Sequence, residues 1–324
     1  MPHWKITLAY DGTPYNGWQV QPNLPTVQGT LAHAIRYITG ETVLPQGSGR
    51  TDTGVHALAQ VATFSLNVPI PAANLHRALN RALPPSIRIL SVEAVPAEFH
   101  ARHNALRKTY EYRILPGNRI CSPMLAPFVW ACPLTVDLAR LQQAAAHILG
   151  THDFTSFAAS DPDLTTRNKS HGDSEESDTL ETPSFDANYF AQLDSTIVAE
   201  AEPEAQTKAN AKLLRESVIS TEGGAFAAEV EKPASLPTPS PGLNTNTRII
   251  HHSTWHQQED LLIYRVTGSG FLHHMVRNLI GTFVEAGSGR ISPDAIPEIL
   301  AARNRHAAGP TAPARGLFLV EVAY

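Results

Sequence analysis

Apolar residues in the first hundred positions switch between two spacings, and this alternation restricts the possible folds more than any other feature of the sequence. Alternate apolar residues are typical of strands, whereas apolar residues three or four positions apart are typical of helices. In chain order the pattern predicts strand, helix, strand, helix and strand at residues 5–10, 27–38, 60–66, 74–83 and 87–92. With a glycine-rich loop before the second strand, this order indicates an α+β sandwich of the ferredoxin type.

The second half of the chain has a similar order. Its pattern predicts a strand at 109–115, a helix at 136–149 capped by Gly150, a strand at 261–266, helices at 271–286 and 293–303, and a strand at 317–322. We therefore expect two related α/β halves, the first covering residues 1–106 and the second covering residues 107–160 together with 247–324.

Residues 161–246 interrupt this order. They are rich in Ser, Thr, Glu, Ala and Pro, a composition that cannot bury enough surface to fold by itself, so we expect a disordered insert. Within it, residues 210–219 have the pattern of a short helix. Between Asp161 and Thr247 there are 16 acidic and 6 basic side chains, which leaves 19 basic and 14 acidic residues elsewhere. A mildly basic body is compatible with a polyanionic partner.

Composition places the chain among ordinary globular proteins. Its 324 residues, 42% of them hydrophobic, suffice for two domains with a sizeable core. No apolar run approaches the roughly 18 residues of a membrane span, and we expect no signal peptide. Cys121 and Cys132, the only cysteines, fit neither a disulfide framework nor a metal knuckle. A reducing cytoplasm is the expected location.

Residues 47–57, GSGRTDTGVHA, concentrate the reactive groups of the chain. Glycines allow left-handed backbone and close approach of a large ligand. Arg50 stands two residues before Asp52 and can pair with it, and a neighbouring cation favours the ionised carboxylate. Such a carboxylate suits a nucleophile or an electrostatic stabiliser better than a general acid.

Other interpretations of this loop remain open. Asp, Gly and Thr are ordinary turn residues, so a plain surface turn is the simplest alternative. The spacing matches neither the dinucleotide fingerprint nor the phosphate loop. Asp52-Thr53-Gly54 spells the aspartic-protease triplet, but those enzymes need two carboxylates that share a proton. The chain has no second triplet, although a dimer could supply one.

Two further segments carry candidate residues. Residues 99–110 hold three cations and two histidines ahead of Tyr110, which suits either a solvated linker or an arm that contacts phosphates and stacks a base. Arg277 lies on a largely apolar helix and, if buried, needs a carboxylate such as Asp52. The adjacent histidines, His273 with His274, are expected to point about 100° apart on a helix, so we predict no metal site.

Taken together, these segments closely resemble the TruA family of tRNA pseudouridine synthases. Seven motifs occur in the family's order and span the chain except for the insert. They are YDG with GWQ at 10–19, GRTDTGVHA at 49–57, FHAR at 99–102, KTYEY at 108–112, DFTSF at 153–157, FLHHMVRN at 271–278 and TAPARGL at 311–317.

The resemblance implies an isomerase without cofactor or metal that converts uridine to pseudouridine at positions 38, 39 and 40 of the tRNA anticodon stem-loop. It also implies two α/β halves sharing a continuous, mostly antiparallel sheet, and a cytoplasmic homodimer. By position, the nucleophile is Asp52, and the other catalytic residues are Arg50, Tyr110 and Arg277. Substrate binding is expected from Tyr110 together with Arg102, Lys108 and His56.

Two alternatives come from other functional classes. A non-catalytic RNA-binding protein would keep the basic surface without needing Asp52. An aspartic hydrolase would cleave peptides at acid pH and ignore RNA. The family bridges the position of the acidic insert with a short loop, and we expect the insert to have little effect on catalysis.

Overall fold

The structure, a computed structural model, describes residues 1–159 and 246–324, and the strands in these ranges form one ten-stranded sheet. The strands are β1 (His3–Tyr10), β2 (Gln46–Gly47), β3 (His56–Ser65), β4 (Ile87–Val95), β5 (Arg107–Pro116), β6 (Trp130–Cys132), β7 (Gly150–Asp153), β8 (Thr247–Gln258), β9 (Leu261–Gly268) and β10 (Leu317–Ala323). Their order is β4-β1-β3-β10-β5-β9-β8-β7, with β2 beside β3 and β6 beside β5. Among the strands of residues 1–159 and 246–324, only the pairs β3–β10 and β5–β6 are parallel. The predicted α+β class with a mostly antiparallel sheet is confirmed.

Helices cover the sheet and supply much of the buried surface. They are α1 (Val27–Thr39), α2 (Ala72–Ala82), α3 (Leu138–Ala146), α4 (Met275–Gly287) and α5 (Ile296–Ala302). The Thr26 hydroxyl caps α1 by accepting from the Gly29 N–H, and the Asp137 carboxylate caps α3 by accepting from the Arg140 N–H. None of the helices in the described ranges is long and apolar enough to span a membrane.

In the first 95 residues the five predicted elements occur in the predicted order, and the structure adds the two-residue strand β2. β1, α1, β2, β3, α2 and β4 follow one another as a βαββαβ unit. Every second side chain of β1 is buried, namely Trp4, Ile6, Leu8 and Tyr10, because alternate residues of a strand face the same side of the sheet. The division of the chain into halves at residue 106 stays a prediction.

Two predicted helix boundaries were wrong. The helix expected at 136–149 ends at Ala146, because residues 150–153 pair with β8 instead, and Gly150 therefore starts a strand rather than capping the helix. The helix expected at 271–286 begins only at Met275, since His274 adopts a left-handed conformation with φ of 58°. The predicted disordered insert at 161–246 and its short helix at 210–219 fall outside the described residues, except for Asn246.

The last strand of the chain lies in the middle of the sheet and brings distant segments together. β10 is parallel to β3 and antiparallel to β5, so Leu319 stands opposite both Ala57 and Tyr110. The loop that contains Asp52 leads directly into β3. Strand pairing alone therefore brings the end of this loop to the same level of the sheet as Tyr110.

A close backbone contact holds the segment before β10 against α4. A Cβ atom on Gly281 would lie 1.6 Å from the carbonyl oxygen of Pro310, a distance that no side chain can occupy. Ala312, two residues later, exchanges hydrogen bonds with Arg277 of α4. The absence of a side chain at Gly281 is thus a condition for the position of Arg277.

We expect Gly281→Ala to lower the free energy of unfolding by about 2 kcal/mol or more, because the new methyl group must displace backbone. Helix propensity alone would change stability by about 1 kcal/mol in the opposite direction, so the sign of the change is diagnostic. Urea unfolding would measure it. Gly270→Ala is the control, since its Cβ meets only the Arg248 side chain at 3.6 Å. A Gly281→Ala protein as stable as the control would contradict the close contact.

Candidate active site

The loop that carries Asp52 rests on the segment that follows β1. The Tyr10 and Thr51 hydroxyls are 2.9 Å apart, and the Trp18 N–H donates to the Thr51 carbonyl at 3.0 Å. Within the loop, the Val55 N–H donates to the Asp52 carbonyl at 3.1 Å and closes a turn. Tyr10 of the YDG motif and Trp18 of the GWQ motif therefore both hold the residue directly before Asp52.

His56, at the end of the same loop, connects it to two other segments of the chain. Its side chain is 1% exposed, its Nδ1 accepts from the Gly12 N–H at 3.1 Å, and its Nε2 donates to the Pro127 carbonyl at 3.1 Å. The ring stacks on Phe318 with centroids 4.8 Å apart. Burial lowers the pKa of His56, in keeping with a neutral ring that makes both contacts. The substrate-binding role predicted for His56 would require a change of structure that exposes its side chain.

The Asp52 carboxylate, 19% exposed, lies among three nitrogen-bearing side chains. Arg277 Nη1 donates to Oδ2 at 3.0 Å, which confirms the predicted pairing of the two residues. His274 Nε2 lies 3.4 Å from Oδ2, and His273 Nε2 lies 3.6 Å from Oδ1. Arg277 is itself held by Ala312, because its Nε donates to that carbonyl at 2.8 Å.

His274 adds little positive charge to this cluster. Burial lowers the pKa of His274 despite the opposing effect of Asp52, and the positive charges of Arg277 and Arg305 and the neighbouring His273 lower it further. A neutral imidazole at neutral pH follows for His274. Arg277, which stays protonated in proteins, is therefore the group that balances the Asp52 charge.

Tyr110 forms an aromatic wall near the carboxylate. The residue is 9% exposed, and its ring meets Phe271 edge-on with centroids 5.0 Å apart. Burial raises the pKa of Tyr110 well above its ordinary value, with smaller contributions from Tyr10 and from the charge of Asp52. At neutral pH the hydroxyl is therefore an un-ionised phenol, able to donate or accept a hydrogen bond.

Cationic side chains gather next to the loop. Lys108 Nζ donates to the Ser48 carbonyl at 2.6 Å, and burial lowers the pKa of Lys108 to about 8, with Arg102 and Arg248 adding to the effect. Arg102 and Arg50 are exposed. A neighbouring polyanion would favour the charged form of Lys108 and lessen the repulsion among these groups.

Three residues at or near the candidate site, Arg248, His273 and His274, are not among the predicted site residues. Arg248 follows the acidic segment with no motif around it, so no local signal marks it. His273 and His274 were considered only as metal ligands and dismissed on the direction of helical neighbours, although both precede α4. Their position in FLHHMVRN, four and three residues before Arg277, was the available signal.

Asn278 ties the C-terminal motifs to one another. Its Oδ1 accepts from Thr311 at 2.6 Å and from Arg305 at 3.1 Å, and its Nδ2 donates to the Phe157 carbonyl at 2.7 Å. The side chain is fully buried, so all these polar groups are satisfied within the protein. The network fixes the first turn of α4, from which Arg277 projects.

Known proteins of one family are similar to this chain over nearly its whole length. A sequence profile of the tRNA pseudouridine synthase family matches residues 6–104 and 237–324. The chain is 40% identical over 321 residues to tRNA pseudouridine synthase A of Solibacter usitatus, covering 99% of this chain and 98% of that protein. The enzymes of the same name from Moorella thermoacetica and Lacticaseibacillus casei are 35% and 33% identical, with both chains covered completely.

The lowered pKa of Lys108 predicts a pH-dependent contribution to stability. Below about pH 8 the amine is charged in both states, and the folded state bears the cost of burying that charge. Between about pH 8 and the ordinary lysine pKa, only the unfolded state keeps the proton, so the free energy of unfolding rises with pH. We expect the free energy of unfolding of wild type, minus that of Lys108→Met, to increase by about 1–2 kcal/mol from pH 7 to pH 10.

Urea unfolding of both proteins at pH 7, 8, 9 and 10 would test this. Other titrating groups are common to the two proteins and cancel in the difference. Lys5→Met is the matched control, because Lys5 pairs with Glu93 at 3.2 Å near the surface. A difference that stays flat or falls with pH would contradict the burial of a chargeable Lys108.

Proposed function

The chain belongs to the family of tRNA pseudouridine synthases, which are isomerases, and from this premise we propose its target and its nucleophile. The enzyme converts uridine to pseudouridine at positions 38, 39 and 40 of the tRNA anticodon stem-loop, and Asp52 is the nucleophile. The observation that carries the proposal is the hydrogen bond of 3.0 Å from Arg277 Nη1 to Asp52 Oδ2, which holds the carboxylate on its loop near Tyr110.

The reaction needs an ionised carboxylate at the sugar. The N-glycosidic bond of uridine breaks, the freed uracil turns, and a new bond forms between its C5 and the anomeric carbon. The proton on C5 leaves and N1 gains one, so substrate and product are isomers and no cofactor is consumed. Attack of Asp52 on the anomeric carbon and removal of the 2′ proton by Asp52 both require the charged form, which Arg277 stabilises.

The surroundings of Asp52 suit a base that has left the helix stack. A nucleotide within paired RNA must be extruded before its glycosidic bond can be reached, and aromatic walls and cations hold such nucleotides. Tyr110 supplies the wall, and Lys108 and Arg102 supply positive charge for phosphates. Arg50, exposed on the same loop, matches by the resemblance the family's arginine beside the aspartate.

Tyr110 has a second role in the proposal. Its raised pKa keeps the phenol neutral in the free enzyme, so it does not begin as a strong base. The C5 proton becomes acidic only after the new carbon–carbon bond has formed, and at that stage the hydroxyl oxygen can accept it while the phenol gives up its own proton to water. We further propose a cytoplasmic homodimer that works without cofactor, as the resemblance implies.

Tritium release from tRNA that carries 5-tritiated uridine tests the reaction and the nucleophile together. We expect wild type to release tritium and Asp52→Asn to be slower by at least about 10³-fold, because the charged nucleophile is lost. Transcripts in which uridines 38, 39 and 40 are replaced singly by cytidine should each lose the release due to that position.

Asp260→Asn is the matched control, since Asp260 is exposed and pairs only with Arg119 among its described contacts. If Asp52→Asn kept more than a tenth of the wild-type rate, Asp52 would not be the nucleophile. If wild type bound tRNA without releasing tritium, the protein would be an RNA-binding protein rather than an enzyme.

The substitution Tyr110→Phe distinguishes the stacking role of the Tyr110 ring from the proton-accepting role of its hydroxyl. We expect tRNA affinity within threefold of wild type, because the ring is retained, and a turnover number lower by about 10²-fold, because the proton acceptor is lost. Filter binding and single-turnover tritium release would measure the two quantities. Tyr264→Phe, which removes a buried hydroxyl bonded to Ser253, controls for general loss of packing. Unchanged turnover in Tyr110→Phe would restrict Tyr110 to stacking.

A further inference from the structure

One group of three potential metal-binding side chains exists among residues 1–159 and 246–324, and it contains Asp52. The ligand atoms of Asp52, His273 and His274 all lie within 4.8 Å of one another. We propose that this group is a binding site for a divalent transition-metal ion of the zinc type, and that the bound ion inhibits the enzyme. The inhibitory part rests on the proposed function of Asp52, whereas the binding part does not.

Two distances between ligand atoms come close to those of a zinc site, and the three side chains would move closer together around an ion, since 4.8 Å is the limit within which all their ligand atoms lie. Zinc binds histidine nitrogen and carboxylate oxygen at about 2.0–2.1 Å, so neighbouring ligand atoms of a tetrahedral site are about 3.3 Å apart. His274 Nε2 is 3.4 Å from one Asp52 oxygen, and His273 Nε2 is 3.6 Å from the other. Two imidazoles and one carboxylate are a donor set that favours zinc and its neighbours over magnesium or calcium.

The backbone holds both histidines in place. The carbonyl of His273 accepts from the Ala159 N–H at 3.0 Å, and the carbonyl of His274 accepts from the Asn278 N–H at 2.9 Å. The left-handed conformation of His274 turns the chain just before α4, and the two rings lie with centroids 4.0 Å apart and planes 30° apart. The reason for predicting no metal site, divergent side chains on a helix, therefore does not apply.

Arg277 opposes a bound cation but leaves room for it. Its guanidinium contacts Oδ2 of Asp52, while Oδ1 faces His273. An ionised carboxylate has about four acceptor positions on two oxygens, so it can bind a metal ion and keep the arginine contact. The side chains of His273 and His274 are 36% and 29% exposed, which gives an ion access from solvent. The positive charge nearby makes a weak, reversible site the expectation.

A bound ion would interfere with the proposed reaction directly. The ion would draw negative charge from the Asp52 carboxylate, and the ion with its water would fill the space that the extruded nucleotide needs. Zinc should therefore compete with tRNA. A chelator should restore activity fully, since no bond in the protein is broken.

Binding is tested on the full chain without tRNA, by competition of the protein with a chromogenic chelator for Zn²⁺. Cobalt(II) absorption serves as an independent probe of tetrahedral geometry. We expect a site in wild type whose affinity falls at least tenfold in His273→Gln/His274→Gln. His251→Gln/His252→Gln removes another adjacent histidine pair, exposed on β8, and should leave that site unchanged.

The outcomes are distinct. Equal zinc affinity in wild type and the His273→Gln/His274→Gln protein, or no binding in wild type, would overturn the site. If thermal unfolding shows that the double variant folds poorly, the single variants His273→Gln and His274→Gln replace it. Each should fold normally and lose part of the zinc affinity. Zinc bound at this site with undiminished tritium release would overturn the inhibition. Zinc binding in a protein that releases no tritium even without zinc would overturn the proposed function alone.

Discussion

The ion pair between Asp52 and Arg277 is the interaction on which the rest of the structure around the site depends. It joins side chains 225 positions apart, one on the loop before β3 and one on the first turn of α4. A partly buried charge is tolerated only while its partner stays in place, since removal of either leaves the other uncompensated. Every contact that positions the loop or the helix therefore contributes to keeping one carboxylate charged and accessible.

Two kinds of support maintain this pair. The loop is carried by residues around Tyr10 and Trp18, and by His56, whose buried ring links the turn at Gly12 to Pro127. The helix is fixed through Asn278 and through the segment at Ala312, which can approach only because its neighbour in α4 is a glycine. Each support has one contact at or just before β10, the central strand, because the His56 ring stacks on Phe318 and Ala312 lies five residues before the strand begins.

Burial shifts the pKa values of several titratable groups around the site toward their uncharged forms. Burial favours the uncharged phenol at Tyr110 and the uncharged ring at His274, and it reduces the basicity of Lys108. Asp52 keeps its charge partner and partial access to solvent. A charged carboxylate between imidazoles is available for attack when no ion is bound and for coordination when one is present, so the same geometry supports the proposed catalysis and its proposed inhibition by zinc.

Local patterns in the sequence determined five of the six elements of the first βαββαβ unit, the later strands β5, β9 and β10, and the pairing of Asp52 with Arg277. They succeed there because apolar spacing and the need of a buried guanidinium for a carboxylate are properties of the residues themselves. The start of α4, the strand at Gly150, the central place of β10 and the cluster of His273 and His274 with Asp52 were decided only by tertiary structure. Strand pairing and backbone hydrogen bonds between distant segments override local preference, and no local window of sequence contains both partners of such contacts.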